Sequence, residues 1–88
     1  MGVDVILPAP LVALFPGAPA HLRVEAETVE NMLMELDRQW PGMRDRLRDS
    51  RPSIRKHINI FVDGRRATLG TRLNENSRVY VLTAMSGG

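Results

Sequence analysis

Cysteine is absent from all 88 residues, which removes disulfides and thiolate metal sites from consideration. Histidine is almost absent as well. His21 and His57 stand alone with no partner at a metal-ligand spacing, so no metal site is expected. Aromatic residues make up only 5% of the chain, and the formal net charge is +2. A nucleic-acid footprint needs clustered positive charge, preferably interleaved with aromatics. Arg51, Arg55, Lys56 and the pair Arg65-Arg66 are the nearest approach to one, while Arg44-Asp45-Arg46-Leu47-Arg48-Asp49 alternates in sign like a solvated face. No apolar stretch approaches the ~20 residues that span a bilayer, and no signal peptide is visible at the amino end. Met1-Gly2 is followed by Ile6 where a myristoylation signal carries Ser or Thr. The expectation is a cytoplasmic protein with neither nucleic acid nor membrane as a partner.

Catalytic constellations are missing too. Ser53, Ser77 and Ser86 sit in no nucleophile-elbow context, and Gly64 and Gly70 belong to no phosphate-cradling loop. Met32, Met34 and Met43 read as helix packing rather than ligands. No acid–base pair stands out. An enzyme acting alone is not indicated.

What is present describes one small globular domain, 43% apolar and 25% charged. Val3, Val5 and Leu7 alternate with Asp4 and Ile6 as in a strand, which Pro8 and Pro10 end. The apolar run 11–15 is short, and Pro16-Gly17-Ala18-Pro19 reads as a loop. Residues 21–26 alternate again, with Leu22, Val24 and Ala26 on one face. Thr28 is a helix N-cap, and Val29, Met32, Leu33, Leu36 and Trp40 form one apolar stripe before Pro41-Gly42 ends the helix. A short helical turn fits residues 43–47. Strand patterns return at 57–62, 66–69 and 78–83, with Asp63-Gly64 as a tight turn between the first two. The predicted core is Val5, Leu7, Leu22, Val24, Val29, Leu33, Leu36, Ile58, Ile60, Val62, Val79 and Val81. Alternation then turns Phe61, Tyr80 and Leu82 to the opposite, open face.

The chain ends in Gly87-Gly88. Glycine is about 7% of average usage, so a chance terminal pair belongs to roughly 0.5% of chains. Without side chains, such an end can thread a slot too narrow for any other dipeptide. A terminal carboxylate presented this way suits chemistry in another protein's active site.

Strand, strand, helix, three strands and a Gly-Gly tail together resemble the MoaD/ThiS sulfur-carrier family. Three stretches carry the likeness: Asn59-Ile60-Phe61-Val62-Asp63-Gly64, Asn76-Ser77-Arg78-Val79-Tyr80-Val81-Leu82, and Thr83-Ala84-Met85-Ser86-Gly87-Gly88. The segment Thr83-Ala84-Met85-Ser86 departs from the Pro-Pro-Val-Ala type of sequence that many members carry there, and residues 8–19 are unusually apolar. The resemblance implies an α+β fold of the ubiquitin-like β-grasp type, a mixed sheet of about five strands with one main helix packed on one face. The domain would cover residues 1–84, and a flexible tail residues 85–88.

By the same resemblance, a ubiquitin-activating-enzyme-like adenylyltransferase uses ATP to adenylate the Gly88 carboxylate. A sulfur donor (sulfide, a persulfide or a rhodanese-type protein) then makes a terminal thiocarboxylate. A biosynthetic enzyme accepts the sulfur, in molybdopterin or cysteine synthesis more than in the shorter thiamin type. The chain itself binds no cofactor and is a monomer when free. Gly88 and Gly87 are the reacting end. Phe61, Tyr80, Leu82, Met85 and Ser86 would contact partners, with Arg65 and Arg78 as rim charge. Two other readings are a protein modifier conjugated through Gly88 and a non-catalytic interaction module.

Overall fold

The computed structural model describes residues 2–50 and 53–83. Its elements are β1 (Val3–Ile6), α1 (Ala9–Val12), β2 (His21–Val24), α2 (Val29–Gln39), α3 (Met43–Leu47), β3 (Ile58–Val62), β4 (Arg65–Arg66) and β5 (Arg78–Thr83). The strands form one sheet in the order β2-β1-β5-β3-β4. β1 and β5 run parallel at its centre, and every other neighbour is antiparallel. The sheet is therefore mixed, with the first and last strands side by side and α2 in the long connection between them.

Strand alternation sorts the side chains as the sequence pattern requires. Val3, Val5, Ile60, Val62, Val79 and Val81 are buried on one face, where they join Val29, Met32, Leu33 and Leu36 of α2 in a single core. Leu22 and Ile58 are only half-buried. The first lies on the edge strand β2 and the second at the end of β3, where fewer neighbours surround a side chain.

The main helix starts and stops for identifiable reasons. Thr28 is extended and its hydroxyl accepts from the Asn31 N–H at 3.1 Å, which satisfies one of the free donors at the helix start. Past Trp40 the chain turns sharply at Gly42, whose φ of 99° is disfavoured for any residue with a Cβ. Asp37 secures this corner, since one carboxylate oxygen accepts from the N–H groups of Gly42 at 3.0 Å and Arg44 at 3.2 Å. The corner sends α3 back across the core, where Met43 and Leu47 are fully buried.

Several boundaries differ from the sequence pattern. Residues 9–12 form a single helical turn, although Pro10 lies within it. Proline is tolerated in a first turn, whose N–H groups have no partner inside the helix. The turn buries Leu11 beneath it. The return strand expected over 66–69 is the two-residue β4 at 65–66. Beyond it, Ala67 donates to the Ile60 carbonyl at 2.8 Å, and the chain leaves the ladder to bury Ala67 and Leu69 in the core. β2 stops at Val24 rather than at residue 26.

Candidate functional site

The site is the face of the sheet opposite α2. In the β3–β5 register Phe61 lies opposite Tyr80 and Asn59 opposite Leu82, while Ile6 of β1 lies opposite Tyr80. Directly opposed residues share a face, so Ile6, Tyr80 and Phe61 form a row across three adjacent strands. His21 and Arg66 extend that row to the two sheet edges through their partners Ile6 and Phe61. Leu82 stands two residues beyond Tyr80 toward the carboxyl end of β5. Tyr80 is 39% and Leu82 43% exposed, while Ile6 and Phe61, on either side of Tyr80, are half-buried.

Several polar residues frame this patch. Asp4 receives the Arg23 guanidinium at 3.0 Å and lies 3.7 Å from the His21 ring. A second Arg23 nitrogen donates to the Asn76 side-chain oxygen at 2.9 Å and to the Gly2 carbonyl at 3.0 Å. Asn76 itself has a φ of 67°, in the left-handed region that Asn tolerates. Arg78 lies opposite Asp4, on the patch side of β5. At the other edge the Arg66 guanidinium donates to the Asn59 side-chain oxygen at 2.7 Å, which holds it beside Phe61.

A tight turn fixes the register that builds the row. Asp63 and Gly64 both have positive φ, 50° and 86°, as a type I′ hairpin turn requires. Asp63 also exchanges bonds with β5: its N–H donates to the Arg78 carbonyl and its side chain accepts from the Arg78 N–H, both at 2.9 Å. A slip of one residue would turn Phe61 into the core and Val62 to solvent.

The structure thus brings together Phe61, Tyr80 and Leu82, with Arg78 on the same face. It does not bring Arg65 there: Arg65 lies opposite the inward-facing Val62, and Arg66 occupies the place beside Phe61. Met85, Ser86, Gly87 and Gly88 lie outside the described residues. Sequence reasoning missed Ile6 and Arg66 as members of the face, whereas alternation along β3 already puts Asn59 on the side of Phe61. Alternation does put Ile6 opposite Val3 and Val5. Only the parallel β1–β5 pairing shows that it meets Tyr80. Among the described residues no group of three or more His, Cys, Asp or Glu side chains is placed to hold a metal ion. No helix of the described residues is long and apolar enough to cross a membrane.

Comparison with known proteins bears on this arrangement. A chain of the crystal structure of the Amycolatopsis orientalis BexX/CysO complex superposes with a TM-score of 0.87 at 20% identity, covering 98% of this chain and 99% of that one. SAMP1 from Haloferax volcanii matches with a TM-score of 0.82 at 23% identity over the full length of both chains. Mycobacterium tuberculosis CysO matches at 0.85 and 22% identity, covering 94% of this chain and 99% of that one. These likenesses establish the ubiquitin-like β-grasp fold. No match is found among curated protein sequences. The ThiS family pattern, by contrast, matches residues 5–88, from the first strand through Gly87-Gly88, and the chain belongs to the ThiS family.

Proposed function

We propose that this chain is a sulfur carrier that works through Gly88 and is acted on by partner enzymes rather than being an enzyme itself. The observation that carries this reading is that the family match runs through residue 88 and so includes the Gly-Gly pair. A carboxylate is a poor electrophile because its leaving group would be an oxide-like oxygen. In the proposed sequence a Gly88 carboxylate oxygen attacks the α-phosphorus of ATP on the activating enzyme, and pyrophosphate leaves. Sulfide then attacks the carbonyl carbon of the acyl-adenylate and AMP leaves, so that one carboxylate oxygen is replaced by sulfur. The thiocarboxylate is the form that delivers sulfur to a biosynthetic enzyme.

Within this scheme the chain's residues position rather than catalyse. Ile6, Phe61, Tyr80 and Leu82 offer an apolar face of the kind that marks a protein–protein contact, with aromatic anchors at its centre. Thr83 directly follows the face, so a partner seated on it holds the start of the segment that leads to Gly88. Gly87 and Gly88 have no side chains to obstruct a narrow channel.

The test is intact mass spectrometry of the full chain after incubation with ATP, sulfide and a ThiS-type activating enzyme. A gain of about 16 Da, oxygen exchanged for sulfur, supports the carrier. A second reading, conjugation to other proteins through Gly88, draws on the fold match to small archaeal modifier protein 1 from Haloferax volcanii, at a TM-score of 0.75. Adducts on lysines of other proteins would favour it over the carrier. An unchanged mass would overturn both.

A further inference from the structure

Two grooves at opposite ends of the sheet are lined by charge of opposite sign. At the end where β1 and β5 begin, a groove of about 610 Å³ is lined by Glu25, Glu27 and Glu75 with no basic residue. At the other end, where β5 finishes, a groove of about 480 Å³ is lined by Arg55, Lys56 and Arg66 with no acidic residue. Both volumes lie in the range of binding clefts. The second groove has the better apolar base. Ile60, Ala67 and Leu69 are buried at its floor, and the half-buried Ile54 and Ile58 flank them.

Among the described residues its three cations form no ion pair. The ion pairs among the described residues involve His21, Arg23, Arg38 and Arg48. Arg55 donates instead to the Asp45 backbone carbonyl at 2.6 Å, and Arg66 to the neutral Asn59 side chain at 2.7 Å. Lys56, the only lysine of the chain, makes no side-chain hydrogen bond among the described residues. Three positive charges around an apolar floor, none of them in an ion pair among the described residues, favour an occupant of opposite charge.

Two connections place this groove beside the chemistry. Ile58, in its wall, lies opposite Thr83 in the β3–β5 register, so the last described residue of β5 borders it. Arg66, on its rim, also lies opposite Phe61 and so belongs to the apolar face as well. The groove is therefore continuous with the docking face. From Thr83 to Gly88 the chain spans five residues, at most roughly 17 Å when extended. A partner gripping this groove would have its active site within that reach.

We propose that the Arg55–Lys56–Arg66 groove is a docking site for an acidic protein segment whose apolar side chains enter toward Ile58, Ile60 and Leu69. Carboxylates on that segment pair with the three cations, and the uniform sign of the rim rejects basic segments. Assigning the segment to the enzyme that processes Gly88 rests on the carrier reading; the groove and the chemistry of its occupant do not.

The experiment follows backbone amide shifts of the isotopically labelled full chain during titration with a short capped peptide of alternating Glu and Leu. The same peptide with Lys in place of Glu serves as the counterpart. Expected shifts are confined to residues 53–56, 58–60 and 66–69, are reduced by added salt, and are absent with the Lys peptide. Lys56→Glu combined with Arg66→Glu weakens binding at least about fivefold while the remaining spectrum stays that of the folded chain. The proposal falls if the Glu peptide shifts nothing, if the Lys peptide acts equally, or if the shifts centre on Glu25 and Glu27. It also falls if the groove shifts with protein concentration alone, which would identify a second copy as its occupant, or if single-stranded DNA binds there more tightly than the peptide. Sulfur loading of Gly88 with no peptide response would reject the groove and leave the carrier intact. A peptide response with no loading would do the reverse.

Discussion

On the proposed carrier reading, Leu82→Ala and Tyr80→Ala separate docking from folding, because each side chain is part buried and part exposed. Full burial of such a side chain contributes about 1.5–3 kcal/mol, so exposures of 39% for Tyr80 and 43% for Leu82 leave roughly 0.6–1.3 kcal/mol at each for a partner to gain. Each truncation is therefore expected to weaken binding to the activating enzyme about threefold to ninefold. Leu14 and Met34 supply the control, since they are 52% and 50% exposed and offer as much apolar surface. Met34 lies on the solvent side of α2, away from the sheet face, and Leu14 follows α1. The assay is the rate of the mass increase at Gly88 against activating-enzyme concentration, which separates apparent affinity from the rate at saturation. Thermal unfolding of each variant monitors the fold. The reasoning is refuted if Leu82→Ala and Tyr80→Ala leave the apparent affinity unchanged, or if Leu14→Ala and Met34→Ala reduce it as much.

Three further expectations follow from the interior and the helix surfaces. Leu33→Ala, at a fully buried position of α2, is expected to cost about 2–5 kcal/mol in chemical denaturation, a large share of a small domain's stability; a loss below about 1 kcal/mol would refute the core assignment. Gly42→Ala is expected to destabilise by about 1–2 kcal/mol through the left-handed backbone alone, since a Cβ there would come no closer than 3.6 Å to Phe15; an unchanged denaturation midpoint would count against it. The Arg38 hydrogen bond, and after it that of Gln39, hold the half-buried Glu35 carboxyl below the usual carboxylate range. Its small contribution to stability is thus present at neutral pH and lost as acidification passes the lowered folded value. NMR titration of the Glu35 carboxyl carbon should show the lowered value, and Arg38→Ala should raise it toward that of a free side chain.

The buried half of this molecule was legible in its sequence because burial imposes a period. Val3, Val5, Ile60, Val62, Val79 and Val81 alternate at two residues, and Val29, Met32, Leu33 and Leu36 follow the helical repeat, so their shared face could be inferred without knowing which strands pair. Elements that break the period were missed. Residues 9–12 contain Pro10, follow directly on Pro8 and bury only Leu11, too little to register as a repeat. Ala67 and Leu69 reach the core after the chain has left the ladder, so hydrophobicity there resembled a strand longer than the two residues that pair.

The candidate site was legible only in outline, for a related reason. Alternation assigns a side chain to a face but says nothing about which residues on other strands lie next to it. Phe61, Tyr80 and Leu82 were therefore visible as outward residues, whereas Ile6 became part of the patch only through the parallel pairing of β1 with β5, strands separated by most of the chain. Arg65 and Arg66 show the same limit at its sharpest. They are chemically identical neighbours, and a two-residue strand has no period from which to choose between them. The register decides: opposite Phe61, Arg66 can reach Asn59 and the basic groove, while Arg65 faces away beside Val62. Exchanging the two roles would take only a one-residue slip of the hairpin. The left-handed pair Asp63-Gly64 and the two bonds between Asp63 and Arg78 oppose that slip, so the turn chemistry that was legible in the sequence selects the arginine that was not.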